Sequence, residues 1–237
     1  MNFSTRHHDR TGRTIERLAD RLAPAPMTML AVRAHPDDES YLGAGLMSEI
    51  ARRGGRVVSV TATLGEHGTD DPVRDRPEAL AARRHDELSS ALDVLGVDAG
   101  IVLGFRDGEC DQTPDEAGAR RVGRVLEEVR PDVVLSFGDD GVTGHPDHCA
   151  VGRWTRRAVA EHDEQVPLLT VAAGSAWPAD LLPRMHEVGA FWPGFPRRDP
   201  EGPTWHLTLG ERHVDQKLAA LACHRSQIGP LHDVLGV

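Results

Sequence analysis

The chain has 237 residues, and its 27 Lys and Arg against 37 Asp and Glu give a formal net charge of −10 with histidine neutral. That length suits one domain, and 39% hydrophobic residues supply a core, which excludes the composition of a disordered chain. The acidic balance, with no basic patch to override it, excludes nucleic acid and anionic membrane as expected partners. No apolar run reaches the ~18 residues of a spanning helix.

Residues 1–26 are polar and Arg-rich, end in Pro24 and Pro26, and lack the apolar region of a secretory signal. They are expected to form a flexible or weakly helical arm before a single domain over 27–237, in a protein expected to be cytoplasmic. From Met27 the pattern alternates. MTMLAVRA reads as a buried strand, and 39–53 as a helix with Leu42, Leu46 and Ile50 on one face, stopped by Gly54 and Gly55. A strand over 56–63 and a helix over 78–95 follow, then a strand over 100–105, a helix over 115–129 and a strand over 132–138. A helix begins near His148, and a strand is expected at 168–173. The proline-rich segment 174–203 predicts a long irregular loop carrying Trp177, Phe191, Trp192 and Phe195. A strand at 204–210 and a helix over 211–224 close the chain. Short apolar strands alternating with amphipathic helices predict a three-layer, Rossmann-like α/β fold with a mostly parallel sheet.

The three cysteines, Cys110, Cys149 and Cys223, are odd in number and lack CxxC spacing, so reduced thiols are expected. Two segments carry the chemistry: Ala34-His35-Pro36-Asp37-Asp38-Glu39 after the first strand and Gly144-His145-Pro146-Asp147-His148 after the fourth. Ligands of an open parallel sheet bind beyond the carboxyl ends of its strands, so motifs 110 residues apart are expected to meet there. One such turn is explained equally well by carboxylates capping a helix. Two at equivalent strand ends point to a metal, because imidazoles mixed with carboxylates suit a zinc-like divalent ion with open positions. His35 and Asp38 can face one side together with one histidine of the second motif. Asp37, pointing elsewhere, can accept a proton from water whose pKa the ion lowers from about 15.7 to roughly 7. The remaining imidazole, His145 if His148 is the ligand, can stabilise an oxyanion or protonate a leaving group. A shared ion requires the imidazoles of His35 and His148 to lie within roughly ten ångströms.

Together the two motifs resemble the PIG-L/LmbE-like family of zinc-dependent N-deacetylases, which act on N-acetylglucosamine-type amides. The resemblance implies an LmbE-like fold with His35, Asp38 and His148 as metal ligands and Asp37 as general base. It implies that His145 steadies the tetrahedral intermediate and that Asp147 orients a histidine. It continues through TLGE (63–66) and through RHDEL (84–88), where Arg84 matches a substrate-contacting arginine. In FRDG (105–108), Asp107 matches a sugar-hydroxyl-binding aspartate. In ACHRSQ (222–227), His224 matches a histidine near the site. The resemblance covers roughly 27–170. Thr143 departs from it, because mycothiol-pathway members carry there a tyrosine that helps hold the oxyanion. The implied cofactor is Zn2+, or Fe2+ or another divalent ion in the cell. The implied partner is a small acetylated amino-sugar conjugate, and a homo-oligomer is compatible with the sequence.

Other classes fit less well. Gly43 and Gly45 lack the third glycine of a dinucleotide fingerprint and lie inside the predicted helix, and Ser175 lacks the second glycine of a nucleophile elbow. A metal-dependent phosphoesterase would prefer two ions and more carboxylates. A non-catalytic carbohydrate- or metal-binding module would have no need of Asp37. Trp177 and Trp192 are candidates for stacking on a sugar ring.

Overall fold

The computed structural model describes residues 7–8, 14–17, 26–69, 71–162, 165–172, 181–196, 205–206 and 210–228. Its centre is a five-stranded, all-parallel sheet formed by β1 (Thr28–Arg33), β2 (Arg56–Thr61), β3 (Ala99–Val102), β4 (Val133–Phe137) and β5 (Leu168–Val171). The spatial order is β3-β2-β1-β4-β5, with Met29 paired to Val57 on one side and to Val133 on the other. The order therefore reverses between β1 and β4. That reversal opens a crevice at the carboxyl ends of these two strands, the two that lead into the His-Pro-Asp motifs.

Alternation along β1 divides the core into two layers, because successive strand side chains point to opposite faces. Leu30 and Val32 pack with α3 (Asp115–Val129) and α4 (Pro146–His162) through Val122, Leu126, Val151 and Trp154. Met29 and Ala31 pack on the other face with Met47 and Ile50 of α1 (Ala44–Arg52), with Leu88, Leu92 and Leu95 of α2 (Pro77–Leu95), and with Ala220 of α6 (Glu211–Leu221). α2 starts on Pro77, whose missing N–H is no loss in a first turn, and ends on Gly96 at φ 73°. The three-layer α/β architecture is the expected one. Among the described residues no helix is long and apolar enough to cross a membrane.

The local differences have physical causes. The helix expected over 39–53 begins as a π-turn, Glu39–Gly43, before α1 proper. The buried Arg33 guanidinium lies against this turn, where a Cβ on Gly43 would stand 2.9 Å from Nη2. Within 174–203, expected to be irregular, Leu181–Glu187 forms α5, whose Pro183 sits in the first turn where proline costs no helical hydrogen bond. The closing helix ends at Leu221, three residues before the expected end, and continues as turns. Of the strand expected at 204–210, Trp205–His206 is described, and it pairs in parallel with Thr14–Arg17, which pairs antiparallel with His7–His8. Trp177 lies outside the described residues.

Candidate metal centre

The turn after β1 is held by its own carboxylate. Asp38 Oδ2 accepts the backbone N–H groups of His35 (2.9 Å) and Ala34 (3.2 Å), which leaves Oδ1 facing the second motif. After β4 the chain reverses through Gly141 (φ 62°), Val142 (φ 65°) and Gly144 (φ 80°). A Cβ on Gly141 would lie 2.7 Å from that of His148, so glycine is required for both conformation and space. A β-branched residue at positive φ is strained, and such strain collects where neighbours over-determine the backbone.

The two turns meet. The rings of His35 and His148 have centroids 5.2 Å apart, and His145 lies 4.8 Å from the first and 5.1 Å from the second. His35 Nδ1 stands 3.2 Å from His148 Nε2, which is 3.3 Å from Asp38 Oδ1. His148 is stacked on Phe137, and its Nδ1 lies 3.1 Å from the Gly141 carbonyl and 3.1 Å from Thr143 Oγ1. Donation from Nδ1 to the carbonyl leaves a lone pair on Nε2. On the far side of His35, Nε2 lies 3.2 Å from Asp107 Oδ1 and 3.3 Å from Asp147 Oδ2. Asp147 is pinned by the backbone N–H groups of Gly108 (2.8 Å) and Cys110 (3.1 Å). Asp107 Oδ2 accepts the His67 N–H, and Glu66 accepts the Asp107 N–H.

This donor set suits a divalent ion. Two ligands about 2.0–2.1 Å from a tetrahedral ion lie about 3.3 Å apart, the spacing found between His35 Nδ1 and His148 Nε2 and between His148 Nε2 and Asp38 Oδ1, while His35 Nδ1 lies 3.7 Å from Asp38 Oδ2. An imidazole whose other nitrogen is fixed by a carboxylate or a carbonyl is the usual supporting arrangement of a metal ligand, and both histidines have it. Among the described residues, His35, His145 and His148 form one set of converging donors and His35, Asp107 and Asp147 another, with Asp38 Oδ1 standing beside His148.

The charges are interdependent. Burial opposes a charged His35, but the Asp107, Asp147 and Asp38 carboxylates outweigh it and raise the imidazole to about 10. Burial pushes His148 down to about 4. Asp38 lies below its ordinary range because the two imidazoles and its backbone bonds outweigh burial. His145 is lowered by burial and by His35, and its Nδ1 accepts the Asp147 N–H (3.1 Å), which assigns the ring proton to Nε2.

The Asp37 carboxylate meets Arg84, with Oδ2 3.2 Å from Nη2. The Asp37 backbone is at φ 103°, and burial raises the carboxyl to about 7 against the opposing pull of Arg84. Arg84, Asp107 and His224, which the resemblance places at the site, each have protein partners there. Buried Arg84 donates to the carbonyls of Gly65 (2.9 Å) and Pro36 (2.5 Å) and to Asp37 Oδ2 (3.2 Å). A Cβ on Gly65 would collide with this guanidinium. Asp107 faces His35, and His224 is buried with Nε2 2.7 Å from Glu39 Oε1. Thr143 faces His148 and accepts the His145 N–H (3.3 Å). The motifs assign no role to Phe137, Glu39 or His67, and the one signal in the sequence is Glu39 itself, a further acid directly after Asp37-Asp38. Trp192 is half exposed, with its ring edge-on to His145 at 5.9 Å and its backbone N–H on the Thr143 carbonyl (2.9 Å).

An open parallel sheet whose order reverses beneath a cluster of imidazoles and carboxylates defines an α/β protein whose crevice could hold a divalent ion. Residues 30–159 match the PIG-L family model, described as GlcNAc-PI de-N-acetylase, and the chain belongs to that family. It is 35% identical over 231 residues to the 1D-myo-inositol 2-acetamido-2-deoxy-alpha-D-glucopyranoside deacetylase of Mycolicibacterium vanbaalenii, covering 84% of this chain and 80% of that protein. The enzyme of the same name from Nakamurella multipartita is 38% identical over 159 residues, with 55% of this chain matched to 54% of that one. Among solved structures, the N,N'-diacetylchitobiose deacetylase of Pyrococcus horikoshii shares the fold with a TM-score of 0.62 at 24% identity, over 85% of this chain and 70% of that chain.

Proposed function

We propose that the chain is a metal-dependent N-deacetylase that hydrolyses the acetamide of a 2-acetamido-sugar conjugate, such as the glucosaminyl inositol named for its relatives. The observation that carries this reading is the approach of His35 Nδ1 to His148 Nε2 (3.2 Å) and of His148 Nε2 to Asp38 Oδ1 (3.3 Å), next to an Asp37 carboxylate held by Arg84. His35, Asp38 and His148 would hold the ion, zinc being the expected one with ferrous iron as the alternative. When bound, the ion supplies Lewis acidity toward water and the amide carbonyl.

Asp37 takes a proton from the attacking water and returns it to the departing amine as the C–N bond breaks, a task suited to a carboxyl raised toward neutrality. Arg84 fixes the angle of that carboxyl and limits its rise. His145, neutral with its proton on Nε2, donates to the carbonyl oxygen as negative charge builds there. The Asp147 and Asp107 carboxylates hold the His35 ring from behind. The test is acetate release from 1D-myo-inositol 2-acetamido-2-deoxy-alpha-D-glucopyranoside, N-acetylglucosamine and a phosphoester control, with added zinc. Turnover of the phosphoester without any acetamide would replace this reading with the phosphoesterase one.

Two variants probe the surroundings. Arg84→Gln removes the cation that opposes burial at Asp37, so the Asp37 carboxyl rises further and the acid limb of the pH–rate profile moves to higher pH. Trp192→Ala removes a half-exposed ring at the lip and is expected to raise KM by roughly 5- to 20-fold with kcat retained, the pattern of a contact made equally in ground and transition states. Steady-state kinetics on the same sugar conjugate check both.

A further inference from the structure

We infer that Glu39 and His224 form a buried positioning pair that locks Asp37 in its left-handed conformation, so that the turn following α6 sets the aim of the catalytic base. This rests on the role proposed for Asp37. A non-glycine residue at φ 103° persists only where its surroundings over-determine it, and the hydrogen bonds around Asp37 show what does so. Its N–H donates to Glu39 Oε2 at 2.9 Å, and its carbonyl accepts the N–H groups of Ser40 (2.9 Å) and Tyr41 (3.0 Å). Glu39 Oε1 in turn accepts from Ser40 Oγ at 2.5 Å and from His224 Nε2 at 2.7 Å. Glu39 is fully buried and His224 is 1% exposed. A carboxylate there beside Asp37 and Asp38 needs a donor that water cannot supply, and His224 is that donor.

The contact does not stand alone. α6 reaches the same turn through Lys217 Nζ, which donates to the Tyr41 carbonyl (2.7 Å), and reaches α1 through His213 Nε2, 2.8 Å from Glu49 Oε2. The π-turn Glu39–Gly43 is therefore gripped from outside at the Glu39 carboxylate and at the Tyr41 carbonyl. His224 stands just beyond α6, 185 residues from Glu39, so this link forms only when the end of the chain has docked. Neither residue is directed at the three metal donors, and their influence passes through the Asp37 backbone.

The experiment compares His224→Ala, His224→Gln, Glu39→Ala and Glu39→Gln with Asp37→Asn and wild type, measuring kcat and KM on the sugar acetamide and zinc content by elemental analysis. Losing one charge-assisted hydrogen bond behind the base is expected to lower kcat by roughly 10- to 100-fold in His224→Ala and both Glu39 variants. KM and one ion per chain are retained. His224→Gln, whose amide N–H can reach Glu39, restores most of the rate. Glu39→Gln keeps the volume and loses an acceptor, so it reads the same loss should an alanine variant fail to fold. A crystal structure of either Glu39 variant is expected to show Asp37 relaxed to negative φ. Wild-type kcat in His224→Ala or Glu39→Gln, or an unchanged Asp37 φ in a Glu39 variant, overturns the inference. If Asp37→Asn is inactive in that case, only the positioning role fails. An active Asp37→Asn would instead remove the base on which the inference stands.

Discussion

Asp37→Asn is expected to keep one divalent ion per chain and to lose about 10²- to 10⁴-fold in kcat for acetate release, the range a positioned general base contributes. The substitution is isosteric, and asparagine is among the few residues that tolerate positive φ, so the strained turn at φ 103° is retained. The amide oxygen still accepts from Arg84 Nη2, which stands 3.2 Å from the present carboxylate. The ion is retained because the residues proposed to hold it are His35, Asp38 and His148. What disappears is the lone pair that receives a proton from water. Burial raises Asp37 to about 7, so at neutral pH the wild-type group both accepts and releases that proton readily, whereas an amide does neither. Elemental analysis beside a discontinuous acetate assay separates the outcomes. Full activity would remove Asp37 from the mechanism, and loss of the ion would make it a ligand.

The sheet and the meeting of the two motifs were legible because both are local patterns. Apolar strands separated by amphipathic helices leave little choice but a parallel sheet, and each His-Pro-Asp turn announces itself within six residues. Illegible from sequence were the partners of isolated charges. Arg84 and Asp107 sit in helix and loop contexts where a solvated charge and a buried one look alike, and only the fold brings Arg84 onto the carbonyls of Gly65 and Pro36. His224 is 185 residues from Glu39, and nothing in periodicity links them. The π-turn at the head of α1 was hidden for a related reason. Its residues carry helical periodicity, and the element that alters their backbone is the Arg33 side chain buried beside Gly43. Thr143 shows the converse. Its position was read from the motif, but its hydroxyl faces His148 Nδ1 and braces the second turn.

Uptake of zinc by the metal-free chain is expected to release at least one proton per ion, with apparent affinity rising at least about tenfold per pH unit from about pH 7 to about 9. The proton is the one on His35. Burial disfavours it, but the Asp107, Asp147 and Asp38 carboxylates raise the imidazole to about 10, so the metal-free ring is cationic at neutral pH. Its Nδ1–H then points at His148 Nε2, 3.2 Å away, and its Nε2–H at the carboxylates behind it. An ion bound between the two rings needs the Nδ1 lone pair and must displace that proton. The other donors add nothing to the exponent. His148 is pushed down to about 4 by burial, and Asp38 lies below its ordinary range, so both are already deprotonated. Stability of the metal-free chain follows the same sign. A histidine raised from 6.5 to about 10 contributes stability that is complete below 6.5 and lost as pH climbs through about 10. Zinc binding reverses that loss, since the ion replaces the proton as the positive charge among Asp38, Asp107 and Asp147. Calorimetric titrations in two buffers of different ionisation enthalpy at pH 7.5 measure the proton count directly. A heat independent of buffer would mean that His35 is neutral before the ion arrives, and the carboxylates behind it would then have to be holding a proton of their own.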